Sequence, residues 1–256
     1  MSDWKNWLGA MRGTFLSLLS PLKEECLLCK QVSSDRVKQL GLCRSCYMRI
    51  PWIRTALCAI CGRGEVCYDC QRRGYAYFSK SRSAVRYDEM MKELLARYKY
   101  RGDERLKAVI GHMLVHAYFL LQEEMREFDT DPSSAKRVIT FVPVSERRLL
   151  ERGFNQAEQM AIELGRKVGL PVFPLLNRSK HTDKQSFKNR SERLDDLVHV
   201  FEINELLIKQ LTGCQAASYV IYIVDDVYTT GSTMNQCARV LGESLPAKVF
   251  GITWAR

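Results

Sequence analysis

The chain has 256 residues, 46% hydrophobic and 27% charged, which is the composition of an ordinary globular protein with room for one large and one small domain. No apolar run approaches the roughly 18 residues that a membrane-spanning helix needs, and the first residues lack the plan of a signal peptide because Asp3 falls in the would-be basic region. We therefore expect a cytoplasmic protein without a transmembrane segment, and the net charge of +10 favours an anionic partner such as nucleic acid, a phosphorylated ligand or an acidic membrane surface.

Residues 1–22 are predicted to form an amphipathic helix. Their apolar side chains recur at helical spacing, at Trp4, Trp7, Leu8, Met11, Phe15, Leu18, Leu19 and Leu22. The simpler interpretation is a helix docked on the protein's own core or on a partner. Peripheral contact with a membrane surface, with Lys5 and Arg12 toward the headgroups, is the alternative.

Residues 23–75 are predicted to form a double zinc-ribbon module, because they contain four C-x-x-C pairs. The pairs are Cys26/Cys29, Cys43/Cys46, Cys58/Cys61 and Cys67/Cys70. Two such pairs complete one tetrahedral thiolate shell, so the four fit about two structural zinc ions. Disulfides are a less suitable interpretation because the cytoplasm is reducing. Redox chemistry is less suitable because one exchange site does not use four closely repeated pairs. Sequential pairing is the simpler arrangement, and a cross-braced one uses the same spacings.

Residues 84–256 alternate helix and strand patterns, which predicts an α/β domain with a parallel sheet covered on both faces. Helical periodicity is predicted at 87–102 and 104–125, and again after a cap at Asn155 up to Gly169. Short branched or apolar runs predict strands at 138–144, 172–176, 220–224 and 248–255, with a helix at 232–245.

The stretch "VIYIVDDVYTTGST" brings Asp225 and Asp226 to the carboxyl end of a buried strand, where open parallel sheets hold ligands. A loop of hydroxyls and one glycine follows, and the N–H groups of the next helix make it an anion cradle. The carboxylates would face sugar hydroxyls or hydrated Mg²⁺. An N-capping turn with two solvated acids is the structural alternative.

This stretch resembles the phosphoribosyl-pyrophosphate motif of type I phosphoribosyltransferases. The resemblance implies that Asp225 and Asp226 are the catalytic pair that holds the ribose hydroxyls, with Mg²⁺ accompanying the phosphoribosyl pyrophosphate. It implies a 5-phosphate loop at Thr229, Thr230, Gly231, Ser232 and Thr233. The same resemblance suggests pyrophosphate contacts at Pro143, Val144 and Ser145. Tyr228 departs from the family's usual aliphatic residue.

Basic residues cluster in two places that could neutralise a diphosphate or a nucleic-acid backbone. Arg152 is assigned to the ligand, whereas Arg147 and Arg148 are nucleic-acid candidates or simply a solvated helix start. The second cluster, at 178–193, has its nucleic-acid candidates at Lys184, Lys188, Arg190 and Arg193.

Nearly the whole chain resembles the ComF competence family. The segments that carry the likeness are "FVPVSERRLLERGFNQAEQMA", "RSKHTDKQSFKNRSER", "RYKYRGD" and the cysteine pairs, although Asp196 stands where an Asn is expected. The resemblance implies a role in natural transformation, with uptake and handling of single-stranded DNA beside a ComFA-type helicase. A phosphoribosyltransferase of nucleobase salvage and a non-catalytic protein that senses ribose phosphates are the alternatives. Whether group transfer occurs, and onto which acceptor, stays open.

Overall fold

The computed structural model describes residues 25–100, 103, 105–126, 135–178, 200–213 and 218–256. It divides the chain into two compact units, Met1–Arg49 and Ile50–Arg256. The predicted cysteine module at 23–75 thus has its first four cysteines in the first unit and its last four in the second. The predicted amphipathic helix at 1–22 lies outside the described residues.

The first unit, described from Glu25 onward, is built around its cysteines. Strands β1 (Arg36–Val37) and β2 (Leu42–Cys43) pair antiparallel, and a 3-10 turn at Lys38–Leu40 connects them. Helix α1 (Arg44–Met48) begins directly after Cys43, whose side chain accepts a hydrogen bond from the N–H of Cys46.

The second unit is an α/β domain, and this fold class is the one that the sequence predicts. Its strands are β3 (Lys80–Val85), β4 (Lys136–Phe141), β5 (Leu176–Arg178), β6 (Phe201–Ile203), β7 (Tyr219–Val227) and β8 (Ala247–Ala255). Its helices are α2 (Tyr68–Arg72), α3 (Glu89–Tyr100), α4 (Arg105–Arg126), α5 (Glu146–Arg152), α6 (Gln156–Val168), α7 (Glu205–Thr212) and α8 (Ser232–Ser244). None of the helices within the described ranges is long and apolar enough to cross a bilayer.

Four strands form one parallel sheet in the order β3-β8-β7-β4, and β5 pairs with β6 in a separate antiparallel ribbon. Helices cover both faces of the main sheet. On one face Tyr222 packs edge-on against Tyr118 of α4, with ring centroids 5.5 Å apart. On the other face a Cβ on Gly251 would lie only 2.9 Å from the side chain of Met234 in α8. Glycine therefore lets α8 approach the sheet closely.

Local signals place helix α6 as expected. Asn155 caps it by accepting from the N–H of Ala157 at 3.0 Å, and Gly169 ends it in the left-handed conformation at φ 73°. Cys237 is buried in α8, whereas Cys214 lies outside the described residues.

Strand β3 has no counterpart among the predicted strands. It is buried on both faces, and Ser81, Arg82 and Ser83 stand there instead of branched apolar residues. Polar partners inside the fold make this burial tolerable. The hydroxyls of Ser83 and Thr253 are 2.6 Å apart, and Arg82, 1% exposed, donates from Nε to Glu124 on α4 at 2.6 Å.

The Arg82–Glu124 pair gives a stability prediction. Glu124→Ala leaves the buried guanidinium without its carboxylate, which costs about 3 kcal/mol of unfolding free energy. Urea unfolding measures this loss. Glu123→Ala removes a neighbouring exposed carboxylate and is expected to change stability by less than about 0.5 kcal/mol. Equal effects of the two changes would contradict the importance of the pair.

Candidate functional site

A polar cleft of about 460 Å³ opens where the carboxyl ends of the neighbouring strands β4 and β7 meet. Its walls come from the loops after both strands, from α3, α5 and α6, and from the end of β5. The lining residues are Tyr87, Lys99, Val142, Pro143, Val144, Arg148, Arg152, Asn155, Gln156, Ala157, Arg178, Asp225, Asp226, Val227, Thr229 and Thr233.

Asp225 and Asp226 stand at the end of β7, after six buried residues. The Asp225 carboxylate accepts from the N–H of Asp226 at 2.8 Å, and the Asp226 carboxylate accepts from the N–H of Val227 at 2.6 Å. Lys99, at the end of α3, forms an ion pair with Asp226. Both members of this pair are largely buried, with 15% and 21% of their side chains exposed.

The two carboxylates differ in their electrostatic surroundings. Burial, and after it the charge of Asp226, raise the pKa of Asp225 to about 8, while the N–H of Asp226 and the charge of Lys99 act in the opposite direction. A protonated Asp225 can donate as well as accept. The pair can thus bind hydroxyl groups, and a bound cation would favour the ionised form.

Cations are concentrated in the same cleft. Lys99, Arg148, Arg152 and Arg178 all line it. Burial, and then the charge of Arg148, lower the pKa of Arg178. The Nε atoms of Arg152 and Arg178 are buried without a hydrogen-bond partner in the part of the chain that the structure describes. An anionic ligand would relieve this crowding of positive charge.

The hydroxyl-rich loop follows β7 and leads into α8. Gly231 is the N-cap of α8 at φ 77°, so no side chain at that position covers the first N–H groups of the helix. The hydroxyls of Thr230 and Ser232 lie 3.0 Å apart. The N–H groups of the first turn, the hydroxyls and the positive end of a 13-residue helix suit a phosphate group.

The structure brings most of the residues proposed for the ligand to this cleft. Asp225, Asp226, Thr229, Thr233, Pro143, Val144 and Arg152 line it. Thr230, Gly231 and Ser232 lie in the adjoining loop without being among the lining residues, and Ser145 caps α5 by accepting from the N–H of Arg148 at 3.4 Å.

Of the residues predicted to bind nucleic acid, two lie in the described part of the chain. Arg148 lines the cleft, whereas the side chain of Arg147 is 83% exposed and pairs with Glu151. Lys184, Lys188, Arg190 and Arg193 lie outside the described residues.

Lys99, Asn155 and Arg178 line the cleft, and none of them is among the site residues predicted from the sequence. Lys99 lies in the segment "RYKYRGD" at the end of a helix. Its ion pair with Asp226 joins distant parts of the chain and could not be predicted from the residues around it. Asn155 was assigned as a cap, yet it also donates to the carbonyl of Val142 at 3.1 Å and so braces the loop after β4. Arg178 ends β5 with its guanidinium 5.5 Å from the ring of Phe201. Long-range contacts of this kind leave no local signal.

The eight paired cysteines form two groups in sequential order. One group is Cys26, Cys29, Cys43 and Cys46, and the other is Cys58, Cys61, Cys67 and Cys70, with the sulfur atoms of each group within 4.8 Å of one another. The cross-braced alternative is therefore not the arrangement of this fold.

The sulfur positions fit a tetrahedral zinc site. A Zn–S bond of about 2.3 Å places ligand sulfurs roughly 3.8 Å apart. The Sγ atoms of Cys29 and Cys43 are 3.8 Å apart in the first group, and those of Cys61 and Cys67 are 3.5 Å apart in the second. Four thiolates leave no open coordination position, so these groups suit structural zinc.

Three curated proteins resemble the chain over most of its length. Competence protein ComFC of Bacillus subtilis is 31% identical over 236 residues, which cover 85% of this chain and 88% of that protein. Competence protein ComFC of Streptococcus pneumoniae is 28% identical and covers 86% of this chain and 94% of its own length. Competence protein F of Haemophilus influenzae is 24% identical, with 84% and 90% covered.

Two solved structures resemble it more distantly. Adenine phosphoribosyltransferase of Saccharomyces cerevisiae has a TM-score of 0.30 and 17% identity, over 56% of this chain and 68% of that chain. The enzyme of Leishmania tarentolae has a TM-score of 0.27 and 20% identity, over 60% and 58%. Both scores are too low to support a statement about activity. No protein-family model matches the chain.

The raised pKa of Asp225 predicts a pH-dependent stability. Asp225 ionises near pH 4 in the unfolded chain but only near pH 8 in the folded one, so unfolding releases a proton between these values and stability falls as pH rises. Asp225→Asn removes this penalty. We expect its melting temperature to exceed that of the parent by about 2–4 °C or more at pH 8, and by much less at pH 4.5.

Thermal unfolding at several pH values measures this difference. Glu243→Gln, a change at an exposed position of α8, serves as the control and is expected to show no such trend. A constant difference between Asp225→Asn and the parent across the pH range would contradict the assigned pKa.

Proposed function

The chain belongs to the ComFC family of competence proteins, and from this premise we propose that it handles single-stranded DNA in competence through a cleft that binds phosphoribosyl pyrophosphate with Mg²⁺. The observation that supports the ligand is the charge arrangement of the cleft. Two carboxylates and several cations line the same cavity, and few ligand classes need both. A ribose carrying phosphate groups is one that does.

Each part of such a ligand has matching groups in the cleft. The ribose hydroxyls would be held by Asp225 and Asp226, whose carboxylate oxygens could also hold Mg²⁺ to neutralise the charge of the phosphates. The 5-phosphate would lie on the loop 229–233 at the start of α8. The diphosphate would bind to the guanidinium groups of Arg148 and Arg152, whose planar donors suit phosphate oxygens.

The same arrangement is suited to group transfer. Carboxylates beside the ribose would stabilise a cationic sugar, and guanidiniums would stabilise a departing diphosphate. Release of pyrophosphate on adding a nucleobase or single-stranded DNA would identify an enzyme. Turnover with a free nucleobase alone would point to salvage. Binding without release for any acceptor would point to a ribose-phosphate sensor.

The proposal for DNA rests on charge. The chain has a net charge of +10, and the exposed Arg147 lies beside Arg148 at the rim of the cleft. The basic segment 178–193 adds the other candidates. A nucleic-acid backbone is attracted by such charge through counterion release, which makes its binding depend on salt. A ComFA-type helicase is the protein partner that we propose to act beside it.

The paired aspartates provide the direct test of the ligand. The double variant Asp225→Ala and Asp226→Ala is expected to lower affinity for Mg²⁺ and phosphoribosyl pyrophosphate by at least about 100-fold, since two charged hydrogen-bonding groups are lost. Isothermal calorimetry measures the affinity. Glu243→Ala, which removes an exposed carboxylate from the far end of α8, is expected to bind like the parent. Unchanged affinity of the double variant would refute the assignment.

The basic segment gives a separate prediction for DNA. Replacing Lys184, Lys188, Arg190 and Arg193 by Ala is expected to weaken single-stranded DNA binding at low salt. It is also expected to reduce the slope of log affinity against log salt by about 3, because each lost phosphate contact removes roughly 0.7. Fluorescence anisotropy at several salt concentrations measures the slope. The same slope in variant and parent would place the DNA elsewhere.

A further inference from the structure

The segment that follows the second cysteine group reaches the proposed phosphate loop. Helix α2 begins after Cys67 and contains Cys70. Arg73 is the C-cap of this helix, and its backbone N–H donates to the carbonyl of Asp69 at 3.1 Å. Cys67 and Cys70 thus both lie within the six residues before Arg73, and their place in the cysteine group restricts the position of Arg73.

The guanidinium of Arg73 holds two residues of the loop. It donates to the hydroxyl of Tyr228 at 3.3 Å and to the backbone carbonyl of Thr230. The next residue is Gly231, where an added Cβ would collide with the Tyr228 side chain. Arg73, Tyr228 and the loop backbone are therefore packed directly against one another.

A second connection runs from the same cysteine group through the chain's last residue. Arg256 donates from Nη1 to the carbonyl of Cys61 at 2.7 Å, and its guanidinium lies 4.7 Å from the centre of the Tyr228 ring. Tyr228 is only 4% exposed. It lies between two arginines, and each of them is connected to the second cysteine group. These contacts give a physical role to Tyr228, which stands where the phosphoribosyl-pyrophosphate motif usually has an aliphatic residue.

A third connection fixes the start of α8. The N–H of Tyr77 donates to the side-chain oxygen of Asn235 at 2.8 Å, and the side-chain amide of Asn235 donates to the carbonyl of Tyr75 at 3.4 Å. Asn235 lies in the first turn of α8. The segment 73–77 thus contacts both the loop and the helix N-terminus that would hold the phosphate.

We propose that the group Cys58, Cys61, Cys67 and Cys70 is a positioning element for the phosphate loop, and that Arg73 and Tyr228 transmit its order to residues 229–233. This inference rests on the proposed function for its ligand. Zinc at this group would fix the turn that carries Arg73, and Arg73 would hold the loop in the conformation that accepts a phosphate. A preformed loop binds more tightly because less ordering is needed on binding.

Arg73→Ala tests the proposal, and Arg72→Ala is its matched control. Arg72 is the exposed neighbour of Arg73, so both changes remove one positive charge from the same short segment. The two probes are ribose 5-phosphate, which carries the phosphate that the loop would hold, and inorganic pyrophosphate, which would bind at the arginines. Zinc content and melting temperature are recorded for every variant.

The expected result is specific to one probe. Arg73→Ala should lower the affinity for ribose 5-phosphate by about tenfold relative to Arg72→Ala. The affinity for pyrophosphate should change by less than about twofold in both variants. Tyr228→Phe removes only the hydroxyl that accepts from Arg73, and it should lower the affinity for ribose 5-phosphate by about threefold. Equal ribose 5-phosphate affinity in Arg73→Ala and Arg72→Ala would overturn the proposal.

Hydrogen exchange separates this inference from the proposed function. In the ligand-free protein, amides at 228–233 should exchange faster in Arg73→Ala than in Arg72→Ala, and faster again in Cys70→Ser, which removes a ligand from the group. If the parent binds neither probe, the proposed ligand is wrong, and the exchange comparison still decides the inference. Equal exchange in the parent, Arg73→Ala and Cys70→Ser would refute it.

Discussion

Two adjacent carboxylates at the end of a buried parallel strand are the constraint on which the cleft depends. Asp225 and Asp226 cannot both remain ionised at low exposure without compensation. The chain places Lys99 against Asp226, and Asp225 has a raised pKa. Nearby guanidiniums repel one another in turn. A ligand with hydroxyls for the carboxylates and phosphates for the arginines would relieve both kinds of repulsion, and this complementarity is the physical basis of the proposed function.

Two arginines join the second cysteine group to the sheet on which the cleft is built. Arg82 of β3 donates to the carbonyls of Ala59 and Ile60 as well as to Glu124. Arg256 donates to the carbonyl of Cys61. A Cys-rich segment is too small for a core of its own, so charged hydrogen bonds and cysteine groups suited to zinc take the place of apolar packing. The guanidinium of Arg256 also lies 4.7 Å from the centre of the Tyr228 ring, next to the proposed phosphate loop.

Sequence patterns predicted those parts of the molecule whose signals are local. The apolar run of β7, the cap at Asn155, the left-handed Gly169 and the spacing of the cysteines each follow from a few neighbouring residues. Strand β3 was not predicted because its buried Ser and Arg side chains depend on distant partners. The same reason hid Lys99, which meets Asp226 across 127 positions of the chain only in the folded state, and the role of Tyr228, whose two arginine partners are far away in sequence.

A crystal structure of the protein with Mg²⁺ and phosphoribosyl pyrophosphate tests the central claim most directly. The account predicts ribose hydroxyls within hydrogen-bond distance of the Asp225 and Asp226 carboxylates, and a 5-phosphate on the N–H groups at 229–233. Ligand bound away from Asp225 and Asp226 would contradict it.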